Sequence, residues 1–354
     1  ILMTYQNIKT PKFYIDHLQY IRTIGKGFPS DADGIRNDIF NLNPSTFLAY
    51  REANAQYNAW EFGIPLLADD TYTPNVNYGN LDYLGILGHN LAECTSATSE
   101  IDLHFRDSAD HNSTPDFSLL ADLNPTEIVN YATDGIEYDG FSMIKFDEKN
   151  FKGIDIRLSV SVTESLNKIA SLSLGKIYEM PHSPELSLTL KHEYKGVSRQ
   201  DSIGGHTFTN TNYYKPPSWG EREAWQLGDF PTTYTGRRVW NLSFNYLNSD
   251  DLEPYHYNLD SSVYATDESL INPNYKENWF SSVIHYTMGG TLPFIFQPDG
   301  SATYTTADSN HDGSADYISN IPEFAICRFD MDTFTREQVA HNVYNIKVKI
   351  RETW

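Results

Sequence analysis

The chain of 354 residues has little cysteine, a shortage of basic residues and no long apolar run. Each shortage excludes something. The two cysteines, Cys94 and Cys327, lie far apart without metal-ligand spacing, which rules out a disulfide framework. Both belong to apolar surroundings and are expected as buried thiols, a pattern that suits folding in a reducing cytoplasm. Lys and Arg number 26 against 47 Asp and Glu, a net charge of −21. That balance argues against nucleic-acid binding, which needs a basic stripe to neutralise phosphates. No stretch reaches the roughly 18 apolar residues of a membrane span, and no basic region followed by an apolar one marks a secretory signal. Catalytic signatures are equally scarce. Gly-x-Ser-x-Gly, His-Glu-x-x-His and phosphate-cradling glycine loops are all missing, and His192-Glu193 lacks the second histidine of a zinc motif. Nothing singles out a glycosidase pair among the 47 carboxylates, so no enzyme is expected.

What the chain does have is aromatic side chains: 24 Tyr, 19 Phe and 6 Trp within a hydrophobic content of 40%. Such rings favour strands and interfaces. Residues 12–21 read as a strand or a short helix, with strand preferred because Pro11 precedes and Gly25 and Gly27 follow. Residues 26–60 look polar and irregular. From about Asn75 short strands alternate with turns: residues 83–87, 100–105, 141–146, 153–162, 169–177 and 185–190. Their spacing predicts a β-sandwich. Residues 106–135 read as a loop with one helical turn at 125–131. The Lys215-Pro216-Pro217-Ser218-Trp219-Gly220 passage predicts a boundary. Beyond it, residues 238–247 alternate as a half-buried strand, 268–287 fit a helix, and 292–297, 323–329 and 343–352 are strands. The expectation is a mostly β protein: an N-terminal arm over 1–74, a sandwich over 75–215 and a β-barrel with one helix over 216–354.

Three constellations stand out. The strand Leu84-Gly85-Ile86-Leu87-Gly88 ends in His89-Asn90, which makes a sharp exit from a sheet. The plain reading is that both side chains satisfy backbone groups there. With Ile154-Asp155-Ile156-Arg157-Leu158 and Ile169-Ala170-Ser171-Leu172-Ser173-Leu174-Gly175, this segment resembles the galactose-binding-like (discoidin-type) β-sandwich. The resemblance implies glycan binding through rings on end loops. Candidates are Tyr178, His182, His206, Phe208, Tyr213 and Tyr214, with Gly204-Gly205-His206 as a presenting loop.

The second constellation is a C-terminal series: Arg237-Arg238-Val239-Trp240-Asn241-Leu242-Ser243-Phe244, then Gly290-Thr291-Leu292-Pro293-Phe294-Ile295-Phe296, then Phe324-Ala325-Ile326-Cys327-Arg328-Phe329. In order and spacing it resembles the distal-tail and minor tail proteins of tailed bacteriophages. It departs from them by the longer segment between Phe296 and Phe324. The resemblance implies a structural subunit of a tail tip or baseplate. Such a subunit forms a six-fold ring on the tail tube, is assembled in the host cytoplasm and resides in the virion. Its partners are other copies of itself and other tail proteins. Arg237 and Arg238 are the expected assembly residues, with Tyr14, Tyr20 and Phe40 of the arm reaching a neighbour, whereas Trp240 and Phe294 fill the core. The other readings are a stand-alone carbohydrate-binding protein that adheres to a host surface, and a polysaccharide-degrading enzyme.

The third is Asp308-Ser309-Asn310-His311-Asp312-Gly313-Ser314-Ala315-Asp316, which opens like a calcium loop. Alternate oxygens from Asp308, Asn310 and Asp312 would converge on Ca2+, with Asp316 compensating for Ser319 where a bidentate Glu is usual. A polar turn between strands would have the same composition.

Overall fold

A computed structural model describes residues 9–23, 42, 48–50, 59–64, 80–89, 100–106, 125–129, 140–150, 153–159, 167–185, 189–193, 197–211, 218–219, 222–223, 236–252, 278–302, 305–307, 317–320 and 324–353. The protein is mostly β. Strand β1 (Lys12–Asp16) runs into helix α1 (His17–Thr23), followed by β2 (Leu48–Tyr50), β3 (Ala59–Ile64), β4 (Asn80–His89) and β5 (Glu100–Arg106). Next come β6 (Pro125–Val129), β7 (Gly140–Asn150), β8 (Gly153–Ser159), β9 (Asn167–Ile169), β10 (Ser171–Glu179) and β11 (Thr189–Glu193). The hairpin β12 (Val197–Asp201) and β13 (Thr207–Thr211) precedes the short pair β14 (Ser218–Trp219) and β15 (Arg222–Glu223). The last part holds β16 (Arg237–Asn248), α2 (Ser249–Leu252), a π-helical turn (Phe280–Ile284), β17 (Phe294–Gln297), β18 (Thr305–Ala307) and β19 (Tyr317–Asn320). Strands β20 (Ala325–Phe329), β21 (Arg336–Ala340) and β22 (Val343–Glu352) close it.

Eleven strands form one antiparallel sheet in the order β11-β16-β22-β20-β17-β1-β10-β4-β7-β6, with β21 also paired to β22. This sheet crosses both of the boundaries expected from the sequence. Strand β1, placed by sequence in the arm, pairs with β10 on one side and β17 on the other. Strand β11 comes from the expected sandwich segment yet pairs with β16 of the C-terminal block.

The period of two along each strand explains how the sheet is buried. Phe13 and Ile15 of β1 face one core with Leu84, Ile86, Leu172, Leu174, Trp240, Phe244, Phe294, Phe296, Phe329 and Trp279. Tyr14 faces the other with Tyr83, Leu87, Phe141, Met143, Ile295, Phe324 and Ile326. Central strands covered on both faces read as near-continuous apolar runs, and β17 (Phe-Ile-Phe-Gln) is buried throughout. At β22 one face is wet: Ile346, Val348 and Ile350 are buried while Lys347 is exposed. Gly175 lies where β1 turns into α1. A Cβ there would collide with the Ile15 carbonyl oxygen, so only glycine lets the two backbones approach.

Several expectations are corrected. Residues 12–21 divide between a strand and a helix, because Asp16 caps a helical turn where the strand stops. Residues 125–129 form an edge strand, with Pro125 at its first position where no ladder donor is lost. The stretch read as irregular includes β2 and the start of β3. In β16 the expected alternation holds through Phe244. A bulge then inserts one residue before Leu247, so Leu247 regains the core and Tyr246, at φ +62°, is 76% exposed. The described part of the expected 268–287 helix is the π-helical turn and the turns after it.

Candidate functional site: a strand edge and an outstanding hairpin

The most distinctive chemistry of the interior is committed to holding the sheet. Arg238 and Glu352 are cross-strand neighbours on β16 and β22, both on the core face. The Arg238 Nη2 donates to Glu352 Oε1 at 2.9 Å, its Nε to Oε2 at 3.3 Å and its backbone N–H to Oε2 at 2.9 Å. The guanidinium lies 5.1 Å from the Trp240 ring centroid. Cys327 of β20 stands in register with Glu352, and burial pushes its thiol well above the usual range, which keeps it protonated and inert. Arg238, expected at an assembly surface, is therefore interior. Its alternation phase puts it beside Trp240's row, and Glu352 neutralises it there.

Asp16 accepts the backbone N–H groups of Leu18 (2.9 Å) and Gln19 (3.2 Å) through Oδ1, the role of a helix N-cap. Burial raises its carboxyl to about 7. His89 stands 3.0 Å by Nε2 from the Ser142 hydroxyl, and burial lowers its pKa to about 3, so the ring is neutral. The ring also hydrogen-bonds the Phe141 backbone, which is the plain reading for His89; Gly88, at φ +67°, sits at a register shift between β4 and β7, and Asn90 lies outside the described residues. Tyr14 is fully buried and donates to Gln297 Oε1 at 2.6 Å. Tyr20 is also buried, with its hydroxyl 2.9 Å from His285 Nε2 and its ring edge-on to Tyr286, which stacks on His17 at 4.0 Å. Neither tyrosine reaches outward as the arm reading required. The reason is that β1 and α1 belong to this chain's own core. Phe40 lies outside the described residues.

The surface tells a different story. All five residues of β21, Arg336-Glu337-Gln338-Val339-Ala340, are exposed. The strand pairs with the first half of β22 on one side, and among the described residues no strand pairs with the other. Its turn to β22 uses Asn342 at φ +56°, a conformation asparagine tolerates. Strand β11 ends the same sheet at one side and β6 at the other; in β11 Thr189, Lys191 and His192 are exposed and Leu190 is half-buried. Arg237 lies partly buried in register with Glu193 of β11. A second outstanding element is the β12–β13 hairpin, closed by Ser202 N–H to the His206 carbonyl (2.8 Å) and Thr207 Oγ1 to Asp201 (2.7 Å). It carries fully exposed Ile203 at its tip and Phe208 at 65% exposure.

Among the described residues the expected glycan-binding side chains are not gathered. His206 and Phe208 share the hairpin, and His182 lies after β10 with Nδ1 3.0 Å from the Ser183 carbonyl. Tyr178 is buried in the core, edge-on to Trp279, and donates to the Asp251 carbonyl at 3.3 Å. Tyr213 and Tyr214 lie outside the described residues, as do Asp308, Asn310, Asp312 and Asp316. Sequence reasoning passed over β21 because a polar strand carries no apolar alternation. Its available signal was the charged pair Arg336-Glu337 just before a turn and a strongly alternating strand. Among the described residues no helix is long and apolar enough to cross a membrane. No protein-family model, curated protein or solved structure matches the chain.

Proposed function

We propose that this protein is a structural subunit that acts by binding, part of a ring at a bacteriophage tail tip or baseplate. The observation that carries the reading is β21, an edge strand exposed along its whole length at the rim of the large sheet. Natural proteins usually bend, shorten or cover such edges, since unpaired N–H and C=O groups template pairing with another chain. The edge is short, carries Arg336 and Glu337 and is bulged between Gln338 and Ala340, which in a chain of net charge −21 fits a selective contact better than indiscriminate aggregation. The resemblance of the C-terminal series to distal-tail proteins gives the assembly its suggested form. In this reading the ring closes six-fold, and the large sheet shared by the N-terminal strand β1, the 75–215 segment and the 216–354 segment is its framework. The charged and polar groups at Arg238, Glu352, Asp16 and His89 serve the fold.

Light scattering of the purified protein, with and without calcium, followed by negative-stain imaging, tests the reading. Closed rings are expected; a strict monomer at every concentration, with and without tail-tube protein as template, would sink it. The exposed His206 and Phe208 favour a second reading, host-surface glycan binding by the hairpin. A glycan-array signal lost on Phe208→Ala would support that, and an array blank for the full chain would remove it.

A further inference from the structure

In a chain of net charge −21, the outer face of the C-terminal strands is rich in cations. The core row of β22 is Ile346-Val348-Ile350, so Asn345, Lys347, Lys349 and Arg351 lie on the opposite face. Neighbouring strands add to that face in register. Arg328 of β20 stands beside Arg351, and Lys191 of β11 follows across the buried Val239 of β16. Lys349 bridges Asp330, and Arg351 bridges Glu193 at 2.9 Å. Lys191, Arg328 and Lys347 are exposed and make no ion pair with a described residue.

One aromatic ring stands at the end of these rows. The bulge in β16 sets Asn245 and Tyr246 together against Asn345, between the core residues Phe244 and Leu247. Tyr246 is thereby turned out beside Asn345, 76% exposed, and its backbone N–H donates to Asn345 Oδ1 at 3.1 Å. Its φ of +62° lies in the left-handed region, which a bulky side chain rarely adopts. Bulges that re-aim a side chain and residues held in strained backbone conformations both concentrate at functional sites.

We propose that this face binds an acidic polysaccharide, with one sugar on the Tyr246 ring and the anionic groups that follow it on Lys347 and the cations beyond. The site is separate from the β12–β13 hairpin and does not depend on the assembly reading. A sugar presents a C–H face to an aromatic ring and hydroxyls around its rim, and the amides of Asn245 and Asn345 beside Tyr246 can both donate to and accept from such hydroxyls. Lys347 lies two residues along β22 from Asn345, roughly 7 Å in an antiparallel strand, so it reaches the next unit of the chain. Glu337 of β21 stands opposite Asn345 and would repel an acid group there, which directs the anionic run along β22 towards Arg328. A protein partner fits less well, because interface centres are apolar and aromatic while the cationic rows expose no apolar side chain. A nucleic acid would carry its further phosphates over an acidic molecule.

The test is isothermal titration calorimetry of the full chain with polygalacturonate and dextran sulfate as acidic polysaccharides. Neutral dextran, polyglutamate and polyuridylate are the comparison ligands. At least one acidic polysaccharide should bind more tightly than all three of these. Tyr246→Gly removes the ring and relieves the positive φ, so affinity should fall about tenfold while thermal stability holds or rises. Lys347→Gln should also cost about tenfold and reduce the salt dependence, whereas Glu337→Gln should raise affinity about twofold. Phe208→Ala should leave binding unchanged; a loss there, with Tyr246→Gly binding normally, would move the glycan site to the hairpin and overturn this one. Failure of both acidic polysaccharides to bind, or tighter binding of polyglutamate or polyuridylate, would overturn it as well.

Discussion

The buried ion pair between Arg238 and Glu352 makes a quantitative demand on stability. Their side chains are 6% and 3% exposed and joined by two hydrogen bonds, with a third from the Arg238 backbone. Glu352→Gln keeps the size but removes the countercharge, and sets an amide N–H2 or a single oxygen against the guanidinium. An uncompensated charge inside the sheet costs about 3–5 kcal/mol. Domains are stable by only about 5–15 kcal/mol, so this one change should consume a large part of the margin. Replacing both partners with apolar residues of similar size, Arg238→Met with Glu352→Leu, removes the charges together. It should fall within about 2 kcal/mol of wild type, because the desolvation cost disappears along with the attraction. The loss of the guanidinium over Trp240 offsets part of that relief by about 1–2 kcal/mol. Urea unfolding followed by tryptophan fluorescence, at a concentration below association, compares the single and the double variant with wild type. A Glu352→Gln cost below about 1 kcal/mol would refute the burial argument. So would a double variant as unstable as the single one.

Other sites give independent checks. Gly175→Ala should prevent β1 from docking, since the new methyl would collide with the Ile15 carbonyl; soluble yield and circular dichroism report it, and a normally folded variant would contradict the close approach. Tyr14→Phe should cost about 1–3 kcal/mol by leaving Gln297 Oε1 without its 2.6 Å donor, measured by the same unfolding assay. Asp82, raised to about 7 by burial, accepts the Ile177 N–H at 2.7 Å. Its folded pKa lies above the ordinary 3.8, so its burial penalty is absent below about pH 4 and grows until about pH 7. Asp82→Asn keeps the acceptor and should therefore gain on wild type by on the order of 2–4 kcal/mol between pH 4 and pH 8; an equal difference at both pH values would exclude the mechanism. His89, lowered to about 3, works in the opposite sense: its penalty is absent above pH 6.5 and grows as pH falls towards 3.

Much of the strand content was legible because period-two alternation is a local property. Strand β22 and most of β16 could be read directly from residues 343–352 and 238–247. The ion pair was legible too, though it was not read. Glu352 continues the row Ile346-Val348-Ile350, and Arg238 precedes Trp240-Leu242-Phe244 in the same phase, so both charges fall on core faces and must meet a partner. Strand order was not legible. The pairing of β1 with β17 joins residues more than 270 positions apart in sequence, and no local pattern carries such a partnership. The bulge at Tyr246 was hidden for a related reason, since an inserted residue shows only against the strand opposite it.

The central position of β1 bears on how the chain is made. Phe13, Tyr14 and Ile15 leave the ribosome before either neighbour exists; β10 follows only at Ser171–Glu179 and β17 only at Phe294–Gln297. Throughout that interval a strongly apolar strand has both edges unpaired, the state most open to capture by another chain. The two halves of the large sheet meet through β1 alone among the described strands. Closure is therefore a late event in translation. Holdase chaperones would then govern the yield of folded protein more than the final stability does, and slowing synthesis after residue 179 would prolong the vulnerable period.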